Sequence, residues 1–339
     1  MSFMPLVCLV LAVEGRRVNK SAPHVITDPP QEPQESRSRR PGGWAGWAAL
    51  LVVWVVWGST YLAIRVADRT IPPFPMAATR YLIAGLLLYP VARLGGRRRS
   101  AATAQSPPAH GPLAQWAGMA VIGTMLLAFG NGAASYAERT LPSGLVALLI
   151  ASVPLWMALA DRVINGRRLR PVAWAALLIG LTGIAILARP HGNGTVLPVI
   201  VVLAGAMSWG IGSVLAGRLP APPSPLLGSA MEMLAGGIVL VGLAAATGEG
   251  VPSHVSTESL WALAYLIGPG SLLAMTCYVI ALRRLPTSAV STYAYVNPVV
   301  AVALGALLLG EPLTLTTLAG GVVVVASVAL LLLSQRARD

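Results

Sequence analysis

Residues 46–67 read GWAALLVVWVVWGSTYLAIRVA, and residues 196–216 read VLPVIVVLAGAMSWGIGSVLA. A helix of about 20 apolar residues spans the ~30 Å hydrocarbon core of a bilayer. Both stretches therefore read as transmembrane helices. Both also carry a Trp-Gly pair, Trp57-Gly58 and Trp209-Gly210, at an offset of 152.

Working outward from these two, eight more apolar runs appear, near 75–94, 114–135, 143–161, 171–188, 226–246, 259–281, 288–309 and 315–334. Pro, Gly and Arg mark the loops between them. The offset of 152 also pairs Pro73 with Pro225, Ala78 with Ala230, Leu82 with Leu234 and Gly85 with Gly237. An offset of 144 pairs Ala137, Arg139, Leu141 and Pro142 with Ala281, Arg283, Leu285 and Pro286, Pro154 with Pro298, and Gly166 with Gly310. The longer loop between the second and third runs absorbs the change of offset. The expected fold is an all-α integral membrane protein of ten transmembrane helices, built as two five-helix repeats. An odd repeat length makes the repeats inverted, the arrangement used for alternating access in many secondary transporters.

Composition agrees with this reading. The chain of 339 residues is 55% hydrophobic and 11% charged, with a mean hydropathy of +0.71. A soluble domain carries roughly 25% charged residues, so this chain lacks the charge to cover a soluble surface. The formal net charge is +12. The arginines sit in short clusters between apolar runs, without interleaved aromatics, which argues against nucleic-acid binding.

Charge placement instead gives an orientation. Arg16, Arg17, Lys20, Arg37, Arg39, Arg40, Arg93, Arg97, Arg98, Arg99, Arg162, Arg167, Arg168, Arg170, Arg218, Arg283, Arg284, Arg336 and Arg338 fall on one side. Arg65, Arg69, Arg139 and Arg189 fall on the other, and Arg80 lies within a run. The positive-inside rule then puts both termini in the cytoplasm of a multi-pass protein of the cell (inner or plasma) membrane.

Residues 1–43 are expected to be an apolar fringe and a disordered cytoplasmic tail. Phe3–Val13 is apolar but lacks the basic n-region and small-residue cleavage site of a signal peptide. The first repeat is expected over 44–189, the second over 190–334, and a cytoplasmic tail over 335–339.

Several motifs resemble those of EamA-type exporters in the drug/metabolite transporter superfamily, and of its YedA-like drug/metabolite exporter subgroup in particular. They are Trp57-Gly58-Ser59-Thr60-Tyr61, Thr79-Arg80-Tyr81-Leu82, Gly130-Asn131-Gly132 and Leu141-Pro142-Ser143-Gly144 in the first half. The second half carries Ser208-Trp209, Glu232-Met233-Leu234-Ala235, Tyr293-Ala294-Tyr295-Val296-Asn297-Pro298 and Gly310-Glu311. The resemblance implies ten helices, an inverted repeat and export of small metabolites or drugs. One departure stands out: the Gly-Glu pair at Gly310-Glu311 has Gly166-Arg167 as its first-half counterpart.

Charges inside the membrane cost at least ~2.5 kcal/mol each on insertion scales. Arg80 and Glu232 occupy equivalent positions, each seven residues after a matched proline. Inversion places them at different depths, so a direct pair is not expected. Glu138 is the candidate partner for Arg80, and Arg283 or Arg284 for Glu232. These residues read either as two charge clusters gating a cavity or as fixed bracing. Glu232 is also a candidate proton carrier, since burial raises a carboxyl pKa.

Pro154 and Pro298 are expected to kink their helices, freeing the carbonyls of Ile150 and Ala294. Those kinks either line a cavity or simply aid packing. Trp57, Ser59 and Tyr61, Asn131, Ser152, Trp209 and Ser213, and Tyr293, Tyr295 and Asn297 lie near them as candidate substrate-binding residues. Aromatic walls with few hydrogen-bonding groups suit amphipathic organic solutes. The plainer alternative for Trp and Tyr is the interfacial belt.

The four histidines fall outside the runs, and the two cysteines have no ligand spacing, so no metal site is expected. No Gly-x-x-x-x-Gly-Lys-Ser/Thr sequence occurs, and no cofactor is expected. The expected function is secondary transport, with export of small organic metabolites or drugs by alternating access, rather than catalysis: a Ser–His hydrolase would lack an intramembrane base here. An intramembrane lipid- or group-transfer enzyme and a non-transporting sensor are the rival readings. Expected partners are a small-molecule substrate, the lipid bilayer and a coupling proton or ion, and an oligomer is compatible with the sequence.

Overall fold

The computed structural model describes residues 43–103, 110–166, 169–187, 196–250 and 252–336. The N-terminal segment before Gly43, Arg167 and the last three residues of the C-terminal tail lie outside the described residues. Among the described residues every regular element is helical. The helices are α1 (Trp44–Ala67), α2 (Pro73–Thr103), α3 (Pro112–Glu138), α4 (Ser143–Ile164) and α5 (Pro171–Leu187). They continue as α6 (Val196–Leu215), α7 (Pro225–Ala246), α8 (Thr257–Arg284), α9 (Tyr293–Leu309) and α10 (Leu315–Arg336).

Eight of them are long and apolar enough to cross a membrane. The other two, α5 and α9, are apolar helices of 17 residues, at the lower limit for a span. A separate helical turn, Thr287–Val290, precedes α9.

Sequence punctuation explains the boundaries. Pro73, Pro112, Pro171 and Pro225 each open a helix, where a missing N–H costs nothing. Ser224 and Ser256 cap α7 and α8, accepting from the N–H groups of Leu227 at 3.4 Å and Ser259 at 3.2 Å. Gly310 ends α9 at φ 65°, a left-handed conformation suited to glycine.

Inside a bilayer, lipid is as apolar as leucine, so helices are held together by close packing and hydrogen bonds. Small residues provide the close approaches. A Cβ on Gly85 would lie 2.8 Å from Leu234 Cγ, and one on Gly237 would lie 2.8 Å from Leu82 Cγ. Leu82 thus packs on Gly237 as Leu234 packs on Gly85, joining α2 to α7. Gly58 meets Val300 and Gly210 meets Trp156 in the same manner, joining α1 to α9 and α6 to α4.

Of the eight long helices, α4 is the most enclosed and α10 the least. Helices α5 and α10 pack on each other. Leu86, Leu178, Ile238 and Leu307 are exposed on the outside of the bundle, as a lipid-facing surface requires.

Four helices carry irregularities. Thr124–Asn131 in α3 and Leu266–Leu273 in α8 are π-helical, a geometry that recurs at functional sites. Helix α4 breaks at Ala151–Ser152, and Pro154 lies in the first turn of its second segment. Pro298 lies inside α9, six residues beyond the break at Ser291–Thr292.

Candidate functional site

A cavity of about 180 Å³ lies between the helices. Its lining comes from α1, α2, α3, α4, α6, α7, α8 and α9. The irregular segments meet there: Gly130 and Asn131 from the α3 π segment, Gly270 and Ser271 from that of α8, and Pro154 and Pro298 from α4 and α9. Ile150 and Ala294, whose carbonyls lose their usual donor to these prolines, also line it. Irregular backbone at membrane depth is tolerated where it lines a protein cavity.

Tryptophans brace both π segments. Trp57 Nε1 donates to the Gly270 carbonyl at 3.3 Å. On the other side a Cβ on Gly130 would lie 2.8 Å from Trp209 Cε3. Trp57 also stands in an aromatic cluster with Tyr278 and Tyr293, at centroid distances of 5.2 and 5.4 Å.

The cavity carries one cation and one acid. Arg80 is 6% exposed. Its Nε donates to Ser271 Oγ at 2.9 Å, and Ser271 Oγ donates to the Leu266 carbonyl at 2.9 Å. The guanidinium carbon lies 4.9 Å from the Tyr81 ring centroid. Glu232 is half-buried on α7. Asn297 is buried, and its Oδ1 has no hydrogen-bond partner among the described residues.

The two ends of the cavity differ. Ile64, Tyr81, Ala134 and Ala147, toward Glu138, are buried. Leu126, Met157, Ser229, Glu232 and Met275, toward the other end, are half-buried or exposed.

Of the residues expected from sequence, Trp57, Tyr61, Asn131, Trp209, Tyr293, Asn297, Arg80, Glu232, Pro154 and Pro298 are brought together here. Others lie elsewhere. Ser59 Oγ bonds the Val56 carbonyl and Tyr265 OH. Ser152 Oγ donates to the Leu149 carbonyl at 2.6 Å and accepts from Trp156 Nε1 at 3.1 Å. Ser213 Oγ donates to the Trp209 carbonyl at 2.8 Å. Tyr295 packs against a core built from α3, α4, α5, α6 and α10. Arg283 and Arg284 are exposed at the end of α8, where Arg284 Cβ faces Gly46. Sequence reasoning missed Ser271, Ser229 and Tyr278. Ser271 aligns with no polar residue that marks it, and only the π geometry turns it toward Arg80.

Glu138 lines a second hollow, with Arg65, Asp68, Arg69, Arg139 and Glu311. Arg65 Nη1 donates to the backbone carbonyls of Glu138 and Leu141. Glu311 accepts from Ser143 N, Ser143 Oγ and Gly144 N at 2.8, 3.0 and 3.2 Å, which caps α4. Glu249 accepts from Phe74 N at 3.0 Å in the first turn of α2, and lies 3.5 Å from Arg139 Nη1. Asp68 follows the last residue of α1, and burial pushes its carboxyl up to about 8, against the pull of Arg139.

A multi-pass helical bundle around a polar-studded central cavity defines a membrane transporter fold, and the chain belongs to the EamA-like transporter family, whose model matches residues 44–189 and again 196–333. It is 38% identical over 275 residues to the uncharacterized inner membrane transporter YedA of Escherichia coli K12, covering 80% of this chain and 85% of that one. It is 25% identical to the uncharacterized transporter YvbV of Bacillus subtilis, covering 79% and 85%. A probable amino-acid metabolite efflux pump of Salmonella typhimurium is 26% identical, covering 83% and 92%. A solved structure described only as the crystal structure of a protein shares the fold, with a TM-score of 0.55, 21% identity and coverage of 89% and 100%.

Proposed function

We propose that this chain is a secondary transporter that exports small organic solutes by alternating access. In this reading ten helices cross the membrane as two inverted repeats, 44–189 and 190–334, with both termini in the cytoplasm. The reciprocal contacts support it: Leu82 on Gly237 and Leu234 on Gly85, Gly58 on Val300 and Gly210 on Trp156. Each pair maps onto the other at the sequence offsets of 152 and 144.

The observation that carries the proposal is the cavity among eight helices, with Arg80, Glu232 and Asn297 on its wall. Its wall is buried at Ile64, Tyr81, Ala134 and Ala147 and half-buried at Leu126, Ser229, Glu232 and Met275, and in this reading, with cytoplasmic termini, the less buried part faces the cytoplasm. This is the loading state of an exporter. Arg80 is suited to an anionic group, Glu232 to a cationic one and the Asn297 Oδ1 to a donor. The substrate class is therefore a small amphipathic solute bearing both charges. Amino-acid metabolites, named for the Salmonella relative, are of this kind.

The test is solute flux in proteoliposomes containing the full chain, with radiolabelled amino acids and their derivatives as probes. Saturable counterflow of unmodified solute, weakened by Arg80→Gln and Glu232→Gln, is the expected result. A chemically altered product would favour a group-transfer enzyme. Absence of flux for every zwitterionic probe would overturn the substrate class.

A further inference from the structure

Apart from the cavity lies the second hollow, of about 340 Å³. Its charges can be assigned one by one. Arg65 is directed at two backbone carbonyls. Arg69 lies 3.6 Å from Glu258, and Arg139 lies 3.5 Å from Glu249. Glu311 holds the N-terminus of α4. Two acids are left over. Asp68 and Glu138 line the same hollow, and none of their four carboxyl oxygens has a hydrogen-bond partner among the described residues. Glu138 is completely buried.

An ionised carboxylate without a donor is among the least favourable groups to bury. Two such groups facing one hollow add mutual repulsion. A neutral acid relieves both, because it needs only an acceptor. The surrounding charged and titratable groups are Tyr61 and Arg65 on α1, Arg80 on α2, Arg139 after α3, Glu249 after α7 and Glu311 after α9. The guanidinium groups oppose entry of a metal cation, and no cluster of metal-ligating side chains occurs among the described residues.

We propose that Asp68 and Glu138 form a proton-binding site, separate from the cavity, that holds a proton at neutral pH. The step is simple: a carboxylate oxygen takes a proton from water on one side of the membrane and returns it there. The site stands on its own geometry and does not depend on the transport reading.

The test is an infrared titration of the full chain in lipid nanodiscs, in a Glu232→Gln background that removes the cavity acid. The C=O stretch of a protonated, buried carboxyl is expected at neutral pH, fading as the pH rises through about 8. Glu138→Gln and Asp68→Asn should each reduce it at least about twofold, whereas Glu138→Asp should keep it with a shifted midpoint. Three results would overturn the proposal: no such band at neutral pH, a band untouched by either substitution, or a band abolished by sodium at constant pH. If Glu138→Gln does not fold, the parent titration and Asp68→Asn decide the matter.

Discussion

Glu311 reaches from the end of α9 to the start of α4, where it accepts from the Ser143 N–H at 2.8 Å and the Ser143 hydroxyl at 3.0 Å. A carboxylate there satisfies donors that a helix N-terminus leaves open and complements its dipole. The first-half counterpart in sequence is Arg167, whose guanidinium has no acceptor to offer. Glu311→Ala is expected to cost about 1.5–3 kcal/mol, the range for hydrogen bonds to a charged group. Hydrogen exchange should speed up at the amides of Ser143 and Gly144, and less so in Glu311→Gln. Unchanged exchange at both amides would refute the capping role.

The contact of Leu82 with Gly237 and of Leu234 with Gly85 leaves no room for a Cβ on either glycine. Gly85→Val and Gly237→Val should each destabilise the chain by about 1–3 kcal/mol, the usual cost of overpacking. Because the two contacts are equivalent, the two losses should match. Thermal unfolding of each variant in the same detergent reads this. A large loss from only one of them would contradict the equivalence.

Arg80 is held by Ser271 and rests over Tyr81. Lysine has neither the Nε donor nor the planar face. Arg80→Lys should lower affinity for an anionic solute about tenfold, or ~1.4 kcal/mol, with Ser271→Ala milder. Binding isotherms of a carboxylate-bearing ligand measure it, and equal affinity in Arg80→Lys would rule out the contact.

Asp68 gives a pH dependence of definite sign. Its carboxyl titrates near 8 in the fold and at ~3.9 in an unfolded chain. The folded state binds the proton more tightly, so this contribution to stability is complete below about pH 4. It is lost as the pH rises to about 8, at no more than ~1.4 kcal/mol per pH unit. Asp68→Asn removes the slope. Its melting temperature relative to wild type should rise between about pH 5 and pH 8.5, and a constant difference would count against the shift.

Much of the bundle is legible in the apolar runs, because a span is written locally in about 20 consecutive residues. Trp57, Trp209, Arg80 and Glu232 are legible too, since polar and aromatic groups stand out against an apolar background. The π segments at Thr124–Asn131 and Leu266–Leu273 are not, because hydropathy does not register how a helix is wound. Ser271 becomes a partner of Arg80 only through that winding. Asp68 looks like an ordinary helix-end acid until α3 and α9 fold over it. Pro154 is visible as a helix breaker, but the break itself falls earlier, at Ala151–Ser152.

The pairing of α5 with α10 bears on how the chain is made. Gly183 packs against Val324, and Leu187 against Gly320. Helix α5 leaves the ribosome long before α10 exists, so its packing surface waits in the bilayer without its mate. Assembly of the bundle is completed only by the final helix, and a ribosome that stalls before Leu315 leaves a nascent chain with an open seam for quality-control proteases to recognise.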